Sequence, residues 1–194
     1  MPAPTGQVAA VTNSARAENA SAYQNVAHHA GMRPLLLVFT LAVLTSTTAH
    51  AQQVVEAIKQ AQNQIIAYLP SPTSVRIAQA LKDAANAGVP VYLIAPRQAH
   101  LEKRSYLLSV ALAAAQTPPA ALNYYPATLN AAPLIIIDNR VLYLGPGVQD
   151  GIGAVEKSGG NKLTRAVELT TQAMKHAPTV AISQLVKERY GLDR

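Results

Sequence analysis

Apolar positions along this chain alternate between helical spacing and short continuous β-rich runs. Val54, Val55, Ile58 and Ala61 recur at helical spacing, which predicts a short amphipathic helix over 52–62. "QIIAYL" (Gln64–Leu69) follows as a strand that stops at Pro70. "SPTSVRIAQALKDAANAG" predicts a helix with Ser71 or Thr73 at its start, a buried stripe of Ile77, Leu81, Ala84 and Ala85, and Gly88 past its end. "VPVYLIA" (Val89–Ala95) is the next strand. Strand, helix and strand together predict a right-handed βαβ crossover with parallel strands.

"RQAHLEKRSYLLSVALAAAQ" predicts one helix that is apolar on much of its circumference and ended by Thr117-Pro118-Pro119. "LNYYPA" (Leu122–Ala127) reads as a strand. "PLIIID" and "RVLYLG" read as two more, joined by a tight reversal at Asp138-Asn139. The all-apolar run Leu134–Ile137 suits a strand buried on both faces, in a sheet covered by helices on each side. After a Gly-rich loop, Val167, Leu169 and Thr171 alternate with Glu168, Thr170 and Gln172, which predicts a sixth strand. "PTVAISQLVKERYG" predicts a closing helix with Pro178 at its first position and Ile182, Leu185, Val186 and Tyr190 on one face. The expected fold is a single α/β domain with a mixed sheet and helices on both faces.

The segment before this pattern is different. "MRPLLLVFTLAVLTSTTAHAQQ" has one Arg after a methionine, an apolar run over Pro34–Leu44, and Ala49-His50-Ala51 at its end. This is the layout of a secretory signal peptide over 32–51, with cleavage before Gln52. The apolar run is about half the ~20 residues that a membrane helix needs, so no stable transmembrane segment is expected after cleavage. Residues 1–31 are rich in Ala, Ser, Asn and Pro without an apolar period. They read either as an overextended start, with Met32 the true first residue, or as a disordered extension. The mature domain is then expected over 52–194, exported to the periplasm or beyond.

Composition narrows the chemistry. Hydrophobic residues make up 49% of the 194, enough for a full core, and charged residues only 13%. With no cysteine, disulfides and thiolate metal sites are excluded. The formal charge of +6 permits a phosphate-bearing partner.

The element order, "ALKDAANAGVPVYLI", and the hairpin "IIIDNRVLYLGPG" resemble the phospholipase D superfamily, whose signature reads His-x-Lys, four residues, Asp, six residues, Gly-Ser-x-Asn. The resemblance covers most of 52–194, one family module. With Asp138 and Gly145 on the signature's Asp and Gly, the spacing fits without a gap. Ala131 then stands at the nucleophilic histidine, Pro133 at the phosphate-holding lysine, Pro146 at the serine and Val148 at the asparagine. The resemblance implies phosphodiester chemistry through a phosphohistidine, with a second histidine from a partner half as acid. It also implies a homodimer, since single modules complete their site by pairing. Here both halves would lack the reactive groups.

Other candidates are few. His100 lies at a helix start among Arg97, Lys103 and Arg104, most simply a solvated helix start, or else a small anion-binding patch or displaced nucleophile. Lys157, Lys162 and Arg165 flank the Gly-rich loop. His176 precedes the last helix and would support its N-terminus. Asp138 is most simply a turn residue, and Tyr124 and Tyr125 must face opposite sides of their strand. No metal or cofactor is called for.

Two functions follow. One is an exported, catalytically silent phospholipase D-like domain that binds an anionic partner (nucleic acid, phospholipid or envelope phosphate) through Arg97, Lys103, Arg104, Lys157 and Lys162. The other is an active phosphodiesterase or nuclease using a displaced nucleophile or an intact partner subunit.

Overall fold

Five of the six expected strands form where the apolar runs place them, and the runs over 65–68 and 134–137 are buried at every position. The computed structural model describes residues 51–178 and 180–192; of the extension and leader expected over 1–31 and 32–51, all but Ala51 lie outside the described residues. The chain runs α1 (51–59), β1 (Ile65–Tyr68), α2 (Val75–Asn86), β2 (Val91–Ala95), a 3₁₀ turn (Arg97–Leu101) and α3 (Leu107–Ala111) with a 3₁₀ extension (Leu112–Ala115). β3 (Leu122–Pro126), β4 (Leu134–Ile137), β5 (Val141–Leu144), α4 (Gly147–Asp150), β6 (Glu156–Ser158), α5 (Gly160–His176) and α6 (Ile182–Tyr190) follow.

The sheet order is β3-β2-β1-β4-β5-β6. β1, β2 and β3 are parallel neighbours, as the βαβ pattern predicts, while β4 runs antiparallel to β1 and continues into β5 and β6. The period-2 geometry of a strand sends alternate side chains of β4 to opposite layers. Ile135 and Ile137 join Val54, Ile58, Ile77, Leu81 and Leu107 beneath α1, α2 and α3. Leu134 and Ile136 join Ile66, Tyr68, Ile94 and Leu142 beneath α5. Helices therefore cover both faces.

α2 forms as its stripe predicts: Ile77, Leu81, Ala84 and Ala85 are all buried. Burial of each large aliphatic among them contributes roughly 1.5–3 kcal/mol. Its N-cap is Ser74, whose Oγ accepts from the Ile77 N–H, rather than Ser71 or Thr73. The preceding backbone is engaged elsewhere, since the Thr73 and Ser74 N–H groups both donate to the Gln149 carbonyl.

Three predicted elements differ. The alternating segment around Val167–Thr171 is part of α5, not a strand. Over a longer window Leu163, Ala166, Val167, Thr170, Ala173 and Met174 recur at helical spacing, and these positions meet the sheet. The sixth strand is instead the three-residue β6 inside the Gly-rich loop, pairing Ser158 with Leu142 and Glu156 with Leu144. The single helix expected after β2 is interrupted over 102–106, where the Tyr106 N–H donates to the Pro72 carbonyl at 2.7 Å. Finally, α6 begins at Ile182, so Pro178 lies in the linker, and His176 ends α5 beside Lys175, where cations favour the helix's carbonyl end.

Candidate functional site

The β4–β5 hairpin has two ends with different jobs. At its turn, Asp138 and Asn139 have φ of 52° and 55°, and the Arg140 N–H donates to the Ile137 carbonyl at 2.9 Å. This is the reversal that short polar residues tolerate best. The Asp138 carboxylate accepts from the N–H groups of Gln62 (3.2 Å), Asn63 (2.7 Å) and Gln64 (3.0 Å), tying the entry of β1 to the hairpin. Partial burial pushes its pKa up, but the three backbone donors and the nearby Arg140 outweigh this and hold it below the ordinary carboxylate value. Asp138 is a structural anchor at the end of the sheet away from residues 131–133.

The other end of the hairpin brings 131–133 and 145–148 together. The Gly145 N–H donates to the Pro133 carbonyl at 2.9 Å, and Gly147 N–H donates to Ala154 O at 3.1 Å. Gly145 has φ 114°, and a Cβ there would lie 2.6 Å from the Ala154 carbonyl oxygen, so only glycine fits without a shift. This edge also carries the C-terminal ends of β1, β2 and β3, where open α/β sheets bind ligands. The side chains offered there by residues 131, 133, 146 and 148 are a methyl, two pyrrolidine rings and a buried isopropyl group. The loop before β4 is pinned by Tyr68, whose hydroxyl donates to the Leu129 carbonyl (3.0 Å) and accepts from the Leu129 N–H (3.2 Å).

His100 is not on a solvated helix start. It is 1% exposed, its Nδ1 contacts the Arg97 carbonyl, and its Nε2 lies 3.1 Å from Glu188 Oε2, close enough to pair in charge but outside hydrogen-bond geometry. Arg97 reaches the other Glu188 oxygen. That hydrogen bond is the chief cause of the lowered Glu188 pKa; partial desolvation opposes it, and the charges of Arg97 and His100 add to the lowering. Arg189 donates to the carbonyls of His100 and Glu102, each at 2.7 Å, and of Lys103 at 3.4 Å. Tyr124 completes the cluster, with its pKa pushed up to about 12, chiefly by burial. The group is a latch holding α6 onto the 97–103 segment. Glu188 and Arg189 have no sequence signal that would have found them, because their partners lie in a distant part of the chain.

The five candidate basic residues do not converge. Arg97 is engaged with Glu188, and Lys162 pairs with Glu156 at 2.6 Å. Lys103 and Arg104 are exposed beyond β2. Lys157 lies on β6, four strands across the sheet from β2, or about 19 Å at normal strand spacing. Tyr124 and Tyr125 do face opposite layers, and Tyr125 lies beside Tyr92 with ring centroids 6.4 Å apart. These two rings, with Ile66, Asn139, Thr171 and Lys175, line a cleft of about 420 Å³ that opens toward the Asp138 turn, away from residues 131–133. Among the described residues there is no group of three His, Asp or Glu able to hold a metal ion. No helix among them is long and apolar enough to cross a membrane.

No family model and no curated protein matches the chain. Solved structures do. NucT from Helicobacter pylori superposes with a TM-score of 0.55 at 16% identity, covering 71% of this chain and 95% of its own. Nuc from Salmonella typhimurium, a phospholipase D family member, gives 0.47 at 16% identity, covering 65% of this chain and 87% of its own. TrmBL2, an archaeal chromatin protein, gives 0.49 at 14% identity, covering 75% and 60%. With its mixed sheet, its central apolar hairpin and helices on both faces, this chain has the phospholipase D-like fold.

Proposed function

We propose that this protein is an exported phospholipase D-like domain that binds a phosphate-bearing, anionic partner without turning it over. One observation carries the proposal: the edge formed by 131–133 and 145–148 presents no group able to attack phosphorus. Phosphodiester exchange by covalent catalysis requires a nucleophile and an acid for the leaving group. A methyl at Ala131 is neither. Pro133 supplies no charge to offset a phosphoryl oxygen and no N–H to donate. His100 sits at the same end of the sheet but is enclosed by Arg97 and Glu188, which leaves it poorly placed to meet a diester. The fold without the reactive groups supports binding, since function follows the site rather than the scaffold. The net charge of +6 favours an anion, and the leader read over 32–51 supports export.

The test is hydrolysis of an activated diester and of DNA by the purified protein, with and without chelator, beside an intact phospholipase D-like nuclease as positive control. The expected result is no turnover, together with salt-sensitive retention on an anionic ligand. Turnover that disappears in His100→Ala would establish a displaced nucleophile and overturn the proposal.

A further inference from the structure

Eight large hydrophobic side chains are exposed among the described residues, and their placement is lopsided. Six of them lie on segments that meet at the C-terminal edge of the parallel strands. Val75 (56% exposed) opens α2, Leu101 and Tyr106 bound the loop after β2, Ile152 (75%) follows α4, Tyr190 (69%) ends α6 and Leu192 (65%) lies just past its Gly191 cap. Hydrogen bonds stitch these segments together. Tyr106 N–H donates to Pro72 O, Thr73 and Ser74 N–H donate to Gln149 O, and Arg189 donates to the carbonyls of residues 100, 102 and 103. Ser74 Oγ lies against the backbone of Gly151, next to Ile152.

The charges on this edge are sorted as well. Its carboxylates are engaged: Glu102 accepts from Ser71, Asp150 from the Ile152 and Gly153 N–H groups, and Glu188 from Arg97. Lys103 and Arg104, between Leu101 and Tyr106, are exposed and have no ion-pair partner among the described residues.

From this juxtaposition we infer that the edge docks on an anionic lipid surface, with Val75, Leu101, Ile152, Tyr190 and Leu192 entering the acyl boundary and Lys103 and Arg104 meeting headgroup phosphates. The inference rests on the anionic-partner reading above and specifies the partner. Four of the six, Val75, Leu101, Ile152 and Leu192, are aliphatic and have no π face on which a base could stack, and the two tyrosines, apolar in body with a polar tip, suit a membrane interface, so the patch as a whole fits a lipid surface rather than nucleic acid. Basic side chains beside an inserting apolar group supply the second signal that stable membrane association needs.

The test is co-sedimentation of the full chain with vesicles of phosphatidylcholine alone and with ~30 mol% phosphatidylglycerol, at low and raised salt. The apolar run Pro34–Leu44 is common to every variant, so only variant-dependent loss counts. Retention on the anionic vesicles is expected, weakened by salt and reduced at least about tenfold in both Leu101→Ser/Ile152→Ser and Lys103→Glu/Arg104→Glu. Leu169→Ser, an exposed position on α5, serves as the unaffected control. A variant-dependent loss of equal size on neutral and anionic vesicles, or no loss in either double variant, overturns the inference. DNA retention by the same preparation without vesicle retention overturns it while leaving the anionic-partner reading standing; failure to retain either sinks both. A change of oligomeric state in the double variants without vesicle binding would assign the edge to a second copy instead, and the lipid assignment would fall.

Discussion

The carboxylate of Asp138 accepts a 2.7 Å hydrogen bond from the backbone N–H of Asn63, 75 positions earlier in the chain. With the Gln62 and Gln64 donors it gives the start of β1 the caps that a helix N-terminus obtains from its N-cap residue. Replacing it by Ala would leave these N–H groups to water and place a methyl-bearing residue at φ 52°. We expect Asp138→Ala to lose about 1–2 kcal/mol of stability, read from urea midpoints, and Asp138→Asn to lose less because it keeps an acceptor and tolerates the turn.

The same carboxylate makes stability depend on pH with a defined sign. Its pKa is lower in the folded chain than the reference 3.8, so its contribution is complete above that value and is lost as pH falls through the folded pKa. The stability gap between wild type and Asp138→Asn should therefore be full at neutral pH and shrink below about pH 4. A gap of constant size across that range would contradict the assignment.

Gly145 predicts a steric cost. Adding a Cβ at φ 114°, against the Ala154 carbonyl, should make Gly145→Ala destabilising by about 1–3 kcal/mol. Gly159→Ala is the control, since nothing lies near its Cβ direction and its backbone is extended. Thermal denaturation of the two variants side by side separates crowding from a general glycine effect.

Tyr68→Phe would remove one buried hydroxyl and strand two backbone groups of Leu129. Leaving such groups unpaired costs about 1–3 kcal/mol. The expected signature is a lower urea midpoint with faster amide exchange around Leu129. A midpoint equal to wild type would mean that water replaces the hydroxyl.

Arg189→Ala and Glu188→Gln should release α6 locally rather than unfold the domain, because α6 buries Leu185 but little else. Hydrogen exchange within 182–190 should accelerate severalfold in either variant while the exchange of β1 and β4 stays unchanged. In wild type the latch should also weaken in acid, as Glu188 protonates below its ordinary value. Uniform exchange changes throughout the sheet would rule out an independent latch.

Much of this architecture was legible because its strands are unbroken apolar runs. Ile65–Tyr68, Val91–Ala95 and Leu134–Ile137 lie in the middle of the sheet, and burial on both faces leaves no polar residue to blur the pattern. β6 escaped because an edge strand of Glu, Lys and Ser has nothing apolar to display. α5 reads as a strand because Val167, Leu169 and Thr171 alternate over five residues, whereas its packing face is visible only over the whole of Gly160–His176. The 131–133 and 145–148 edge was legible through the family resemblance, which places the signature's Asp and Gly on Asp138 and Gly145, and not through any pattern in the residues themselves. The α6 latch was not: ion pairs between distant segments leave no periodic trace, and neither does a surface assembled from the tips of several loops.

The two outer strands carry a consequence for behaviour at high concentration. Each leaves a row of backbone groups that another copy's strand could zip onto. On one margin β6 is three residues long and displays Glu156 and Lys157; on the other, β3 closes with Pro126, which has no N–H to lend. A sheet this apolar at its centre thus ends in margins too short, too charged or too poor in donors to seed a fibre.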